Sequence, residues 1–454
     1  MTCKRIYKSW PVVQRCDGKQ QEGKDSMAQP NILLILSDDH GFGDVSHNGG
    51  PHVQTPNIDR IATSGVQFTN FYANSSVCSP SRAALMTGRY PDRVGVPGVI
   101  RTHENNSWGY FRQDAVTMAD MLKRAGYYTA IVGKWHLGLE PENHPCQRGF
   151  AHFQGFLGDM MDDYLTHRRH DTNYMQLEEQ EIDPEGHATD LFTDWAGGLI
   201  RQQAGSAQPF FLYLAYNAPH TPIQPPEEWV ERVREREPEA SPQRVKYCAL
   251  VEHMDAGIGR VLEALEETDQ LNNTLVIYVS DNGGYMDAGA DCGPYRGQKG
   301  DMYEGGIRVP ACAMWPGHIP VCTTSDTIAL LMDLFPTVCE VAGLKVDHEI
   351  EGTSILPTLM GDEQPELGER ELYWIRREGG MQFLGLCQHA VRKGPLKLLH
   401  NGPFQPLQMF DLESDPKEEA DRSGEDDASF RQMAQLLNTT MQDNGAVPWR
   451  SGEG

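Results

Sequence analysis

Four short segments gather the side chains that hydrolytic chemistry needs: Ser37-Asp38-Asp39-His40-Gly41, Gly133-Lys134-Trp135-His136-Leu137-Gly138, Ala218-Pro219-His220 and Asp281-Asn282-Gly283-Gly284. Taken singly, an Asp-Asp pair reads as a turn and Asp-Asn-Gly-Gly as a loop. Here each segment follows an apolar run. Adjacent carboxylates repel and coexist best around a cation. Asp38, Asp39, Asp281 and Asn282 offer hard oxygen donors, which suit Ca²⁺ or Mg²⁺ rather than zinc. Lys134 and His136 are two residues apart, so an extended backbone points both to one side. With Arg82, His220 and Lys299 they form a candidate cationic cradle for a tetrahedral oxyanion. Cys78 opens a further motif, Cys78-Ser79-Pro80-Ser81-Arg82, running on to Thr87-Gly88-Arg89. Ser79 and Pro80 suit an N-cap and first turn, Ala83 to Met86 propagate a helix, and Gly88 closes it. Cys78 is thus placed at a helix N-terminus, where free N–H groups favour an anion. Alone it reads as a low-pKa thiol or as nothing.

The elements that must position these residues are legible in the same runs. Asn31 to Leu36, Val66 to Tyr72, Tyr127 to Val132, Phe210 to Tyr216 and Thr274 to Ser280 read as strands. Helices are expected from Thr55-Pro56 to Gly65, over Met118–Ala125 behind a Thr117 cap, over Ser241–Glu267, and over Ser325–Ala342. This alternation predicts an α/β fold, in which sites form outside the carboxyl ends of the strands. Beyond about residue 345 the chain turns to short strands (Leu372–Ile375, Gln382–Arg392, Lys397–His400, Leu407–Phe410) and a helix near Ser429–Asn438. The expected division is a polar extension over 1–28, a catalytic domain over 29–345, and a small C-terminal subdomain of antiparallel sheet plus helix over 346–454.

Composition sets the outer limits. With 39% hydrophobic and 23% charged residues the chain reads as globular rather than disordered or fibrous. A net charge of −25 argues against a nucleic-acid partner, and no apolar run is long enough to imply a membrane. Its bland reading is a solvated surface, and screening leaves local charge to decide what a site binds. The ten cysteines are scattered without a CxxC, so no disulfide framework is expected. Lys4, Arg5, Lys8 and Arg15 precede no apolar stretch, so no signal peptide is read and the sequence as given reads as cytoplasmic; Met27 is a candidate start.

The C-x-P-S-R core with the following T-G-R resembles the maturation signature of the type I sulfatase family of the alkaline-phosphatase superfamily. Ser37-Asp38-Asp39, Gly133 to Gly138, Ala218-Pro219-His220, Ser280 to Gly283 and Lys299 fall in that family's order, together with Ala390-Val391-Arg392, Lys397-Leu398 and Phe410-Asp411-Leu412 in the C-terminal part. The flavour is that of arylsulfatase A, N-acetylgalactosamine-6-sulfatase and bacterial polysaccharide sulfatases. The resemblance implies a large mixed sheet sandwiched by helices, and release of sulfate from a sulfated saccharide. It also implies a maturation enzyme that oxidises Cys78 to formylglycine, and one Ca²⁺ bound by Asp38, Asp39, Asp281, Asn282 and the modified Cys78. A hydroxyl of the formylglycine hydrate would attack sulfur, with Asp281 as proton acceptor. Lys134 and Arg82 would hold sulfate and diol, and His220 with Lys299 would protonate the departing alcohol. His136 would take the second hydroxyl's proton so that sulfate is expelled. An exported or lysosomal setting is the family's usual one.

Two readings compete: a phosphonate or phosphate monoester hydrolase on the same fold, and a non-catalytic glycan-binding relative. For the substrate rim, Gly158 to Asp171 is dense in charge, with His167, Arg168, Arg169 and His170 as candidate sugar contacts. Arg101, His103 and Trp108 are candidates in a second rim loop. The bland and favoured reading of either segment is a solvated loop.

Overall fold

The computed structural model describes residues 29–103, 107–379, 383, 385–425 and 427–447. The extension read over 1–28, and Gln382 at the start of an expected strand, lie outside the described residues.

β1 (Asn31–Ser37) is apolar without alternation because it is buried on both faces. α1 (Pro56–Thr63) begins with proline, and its first N–H groups find an acceptor from another element. The Asp255 carboxylate takes hydrogen bonds from Asn57 N and Ile58 N at 2.8–3.2 Å. Val66–Tyr72, expected as one strand, divides into β2 (Val66–Phe68) and β3 (Phe71–Tyr72), which pair in different sheets. Then come α2 (Cys78–Thr87), α3 (Met118–Arg124, under a Thr117–Asp120 capping box), β4 (Tyr128–Lys134) and β5 (His152–Phe156). The charged segment folds as a small hairpin of β6 (Arg168–Arg169) and β7 (Thr172–Asn173), leading into β8 (Met175–Leu177) and β9 (Gln180–Glu181). α4 (Ala188–Gln202), β10 (Phe210–Ala215), α5 (Glu227–Arg236), α6 (Pro242–Glu267) and β11 (Thr274–Ser280) complete the central region. After α7 (Glu304–Ile307), β12 (Ala311–Met314), β13 (Thr323–Ser325) and β14 (Ala329–Leu330) comes α8 (Leu334–Val341).

The helix expected over Ser325–Ala342 is therefore only its second half. β14 instead pairs in parallel with β3, and the Asp333 carboxylate accepts from Leu330 N (2.8 Å) and Thr353 N (2.8 Å) while pairing with Arg370. Those tertiary partners outweigh the helical propensity of the apolar run.

The main sheet has ten strands in the order β13-β2-β12-β11-β1-β10-β4-β5-β8-β9, of which β11, β1, β10, β4 and β5 run parallel side by side. Ile32, Leu34 and Leu36 face one core, with Leu85, Met118, Leu122, Phe335 and Val338 from α2, α3 and α8. Leu33 and Ile35 face the other, with Ile58, Phe192, Ile258 and Val261 from α1, α4 and α6. At such positions truncation to alanine costs about 2–5 kcal/mol.

After the short α9 (Leu356–Leu359), the antiparallel sheet β15 (Glu371–Glu378), β16 (Leu386–Lys393), β17 (Leu396–His400) and β18 (Gln408–Asp411) packs with α10 (Asp427–Asn444). This is an α/β fold with the expected small C-terminal antiparallel sheet. β15 is sewn to the segment leading into Cys78, with Trp374 Nε1 donating to Ala73 O (2.7 Å) and Ser75 Oγ to Ile375 O (2.8 Å), and to the loop after α2, with Arg377 N donating to Pro97 O (2.8 Å). The junction also holds a fully buried ammonium. Lys397 Nζ pairs with Glu304 (2.9 Å) and Glu418 (2.8 Å). Among the described residues no helix is long and apolar enough to cross a membrane.

Candidate active site

Four parallel strands deliver their last residues to one crevice. β1 and β11 pair up to Ser37 opposite Ser280, so Asp38 and Asp281 leave the sheet side by side, and Asp39 N donates to Asp281 Oδ1 (3.2 Å). β4 runs on through Lys134. Gly133 has φ +109, and a Cβ there would lie 1.9 Å from Ala215 O, so only glycine lets β4 approach β10 this closely. Asp39 (φ +64) and His136 (φ +63) both adopt left-handed backbone, which costs a non-glycine residue about 1–2 kcal/mol. His136 is thus not on extended backbone, as its spacing from Lys134 had suggested. Both side chains are nevertheless buried at the same strand end.

Nine of the ten residues singled out in the sequence interlock by direct contacts. Cys78, the first residue of α2, puts Sγ 3.3 Å from Asp38 Oδ1 and 3.9 Å from Asp39 Oδ1. Lys134 Nζ reaches Asp38 Oδ2 at 2.5 Å, and Lys299 Nζ reaches Asp39 Oδ2 at 2.6 Å and His220 Nε2 at 3.0 Å. Arg82 is fully buried and faces carboxylates. Its Nε and Nη2 lie 3.0 and 2.8 Å from Asp281 Oδ2, and Nη1 donates to Lys134 O (3.1 Å). Asn282 Nδ2 donates to Asp39 Oδ1 (2.8 Å). The tenth, His136, is held by the rim: its Nε2 donates to Ile100 O (2.8 Å), which fixes the tautomer and leaves Nδ1 unprotonated, buried and without a hydrogen-bond partner. His220 Nδ1 donates to Thr221 O (2.7 Å), so its Nε2 carries the lone pair and faces Lys299.

The electrostatics follow from burial. Burial pushes the Cys78 thiol well above its ordinary range and Asp38 adds to this, so the low-pKa thiol reading fails. Burial also raises Asp38, but Lys134, His220, Arg82 and Lys299 outweigh it and hold that carboxyl well below the usual range. Burial and then the Asp38 charge push Asp281 up to about 7, against Arg82. Burial, then Lys134 and Arg82, hold His136 neutral far below the ordinary histidine range, and burial with Lys299 lowers His220. Burial disfavours the Lys299 ammonium, yet Asp39 more than compensates, so it stays charged.

Among the described residues, ligand atoms of Asp38, Asp39, Cys78 and His220 lie within 4.8 Å of one another, so the two aspartates offer hard donors for a divalent cation; Asp281 is not in this cluster, its Oδ1 accepting from Asp39 N and its Oδ2 from Arg82 Nε. Asn282 Oδ1 is buried with no hydrogen-bond partner, an amide oxygen left over at the edge of three carboxylates.

The rim residues fare differently. His167 is fully buried, with Nε2 donating to Gly186 O, so it does not line an open surface. Arg168 pairs with Asp183, and Arg169 with Asp159 and Asp162. His170 stacks on His103 with ring centroids 4.4 Å apart, so the two candidate rim loops touch. Arg101 pairs with Glu378, and the Trp108 ring packs over Gly379. Sequence reasoning missed three supports. Tyr164 OH lies 2.7 Å from Asn217 O and 2.9 Å from His220 O, Tyr247 OH donates to Asp39 O (3.0 Å), and Ser79 Oγ accepts from Ile100 N (3.1 Å). Tyr164 and Tyr247 sit in no motif, and Ser79, inside the motif of Cys78, reads there only as a helix-capping residue.

Comparison with known proteins converges on one family. The Sulfatase family model matches residues 30–344, and the model described as N-sulphoglucosamine sulphohydrolase, C-terminal, matches residues 297–445. N-acetylgalactosamine-6-sulfatase of Homo sapiens is 36% identical over 76% of this chain and 68% of its own length. Arylsulfatase A of Bos taurus is 36% identical over 75% of this chain and 69% of its own. Among solved structures, Ps i-CgsB in complex with k-i-k-neocarrahexaose is similar at TM-score 0.84 and 33% identity, over 94% of this chain and 95% of that one. A phosphonate monoester hydrolase of Agrobacterium radiobacter shares the fold alone, at TM-score 0.67 and 23% identity. With the family model covering the whole main sheet and its strand-end residues, the chain belongs to the sulfatase family.

Proposed function

We propose that this sulfatase releases inorganic sulfate from a sulfated carbohydrate, using a formylglycine made from Cys78 by a maturation enzyme and a Ca²⁺ held by Asp38, Asp39, Asp281 and Asn282. The observation that carries the reading is the pair of buried histidines with opposite tautomers: His136 with Nδ1 bare, and His220 with Nε2 against Lys299. Relatives add support. One solved neighbour holds a neocarrahexaose, and N-acetylgalactosamine-6-sulfatase names a sulfated amino sugar.

A cation held by Asp38, Asp39, Asp281 and Asn282 would supply Lewis-acid charge neutralisation for the sulfate group. An aldehyde hydrate made from Cys78 would supply two hydroxyls on one carbon, a nucleophile and a second hydroxyl for releasing the product. The remaining work falls to the chain's own side chains. Lys134, paired with Asp38, would bring positive charge to the transferring group, and Arg82, paired with Asp281 and bonded to Lys134 O, would support it from behind. The proton for the departing alcohol is held between Lys299 Nζ and His220 Nε2, 3.0 Å apart. His136, kept neutral by burial and by Lys134 and Arg82, is ready to accept the second hydroxyl's proton at Nδ1. Asp281, pushed up to about 7, accepts the proton of the attacking hydroxyl.

Two measurements test this. Mass spectrometry of the Cys78 peptide from the native host should show the aldehyde, and an intact thiol there would favour a binding protein. Kinetics on paired aryl sulfate and aryl phosphate substrates should favour sulfate, and a large phosphate preference would reassign the reaction.

A further inference from the structure

We propose that Glu378, a residue of the C-terminal sheet, is a positioning residue for proton transfer: through Arg101 and Arg376 it sets the two backbone segments that orient His136 and Lys299. The proposal rests on the function proposed above, and its test is arranged so that either can fail alone.

Glu378 is the last residue of β15, and its side chain has no solvent exposure. Its carboxylate pairs with Arg101 Nη2 and with Arg376, whose Nε and Nη2 both lie 2.7 Å from Oε1. Each arginine belongs to a segment that carries a site contact. Arg101 follows Ile100, whose N–H is taken by Ser79 Oγ next to Cys78 and whose carbonyl receives the His136 Nε2 proton. Arg376 Nη1 donates to Gly300 O (3.0 Å), Gly300 N donates to Ser76 O (2.8 Å), and Lys299 is the preceding residue. Glu378 thus stands between the Ile100 carbonyl that fixes one histidine and the turn that aims the lysine at the other.

The carboxylate is the chemically required group. Arg101 and Arg376 guanidiniums flank the same Phe383 ring, at 4.9 and 5.5 Å from its centroid, and both are largely buried, so without an anion between them they repel. A carboxylate accepts from both forks at once. Glutamine offers one acceptor oxygen and turns an NH₂ towards the second guanidinium, so one arginine loses its tie to position 378 and its segment shifts.

The test uses the full-length matured protein and phenyl sulfate, whose poor leaving group keeps both proton transfers in the rate. Glu378→Gln should lower kcat about tenfold or more, the scale on which a misplaced proton donor or acceptor acts, while KM stays within about twofold. It should also move or broaden the downfield NMR signal of the His136 Nε2 proton, which a purely structural role would leave in place. A variant with lowered Tm but unchanged kcat and an unmoved His136 signal overturns the proposal. Should Glu378→Gln fail to fold, Glu378→Asp keeps the charge on a shorter arm. A reduced kcat with a displaced signal then supports the proposal, and wild-type values for both overturn it. Wild-type protein inactive on the aryl sulfate would refute the proposed function, while the imidazole signal, read without turnover, would still decide the role of Glu378.

Discussion

The most discriminating single-atom change in this molecule is Tyr164→Phe. Tyr164 is 1% exposed, and its ring stacks on His187 with centroids 5.0 Å apart. The phenol oxygen lies 2.7 Å from Asn217 O and 2.9 Å from His220 O, so one O–H proton is shared by the two carbonyls that shape the loop carrying His220. Phenylalanine preserves the ring and removes the phenol donor from the His220 carbonyl, while Asn217 O keeps the His220 N–H at 3.0 Å; losing such a buried donor costs about 1–3 kcal/mol. If all of that appears as displacement of His220 in the transition state, kcat falls about 5–150-fold. The assay is kcat against a series of aryl sulfates of rising phenol pKa. A good leaving group needs little protonation, so the defect should be small for 4-nitrophenyl sulfate and grow along the series. A defect of equal size for every leaving group, or a lowered Tm with unchanged kcat, would refute the link from Tyr164 to acid catalysis at His220.

Three other outcomes follow from the same geometry. His389 is buried, and burial with Arg377 and His400 pushes its pKa to about 3; Tyr373 OH and Cys387 Sγ each lie 3.0 Å from its ring nitrogens. The folded pKa is depressed, so its contribution is intact above the unfolded value near 6.5 and is lost as pH falls towards 3. Between pH 6.5 and 4.5 that loss is about 2–3 kcal/mol, and His389→Gln should flatten the pH dependence of Tm by that amount; parallel curves would contradict it. Lys397→Met strands the Glu304 and Glu418 carboxylates and should cost about 3–5 kcal/mol in denaturant unfolding; a loss under ~1 kcal/mol would show that water reaches the pair. Replacing Arg168 and Arg169 together by alanine should raise KM for a sulfated polysaccharide and leave KM for 4-nitrophenyl sulfate unchanged, and equal effects on both would remove that hairpin from the substrate rim.

What the sequence disclosed was the part governed by local rules. A strand buried on both faces is written as a continuous apolar run, so β1, β10 and β11 were legible. The polar residues directly after those runs could be assigned to one crevice because parallel strands end on one side. Long-range partners were not legible. Residues 325–342 carry a helical pattern, yet pairing of Ala329–Leu330 with Phe71–Tyr72 breaks it. The Arg168 and Arg169 charges were visible, but not their commitment to Asp183, Asp159 and Asp162. Arg82 read as one arm of an oxyanion cradle, whereas its donors face Asp281 and the Lys134 carbonyl. Nor does spacing report that His136 takes a left-handed backbone, since that strain is sustained only by the packed surroundings.

The crevice has a balance that bears on how its ligands find it. With Asp281 ionised, Asp38, Asp39 and Asp281 carry three negative charges against three positive ones on Arg82, Lys134 and Lys299, so above about pH 7 the polypeptide alone presents a sulfate ester with no net attraction. The rest of the chain, at −25, repels it. Under the proposed function, a divalent cation at the carboxylates tips that zero to +2. Sulfate and cation then become thermodynamically linked ligands: each must tighten the other by the same factor. Calcium affinity measured with and without inorganic sulfate, and sulfate affinity measured with and without calcium, should close one cycle.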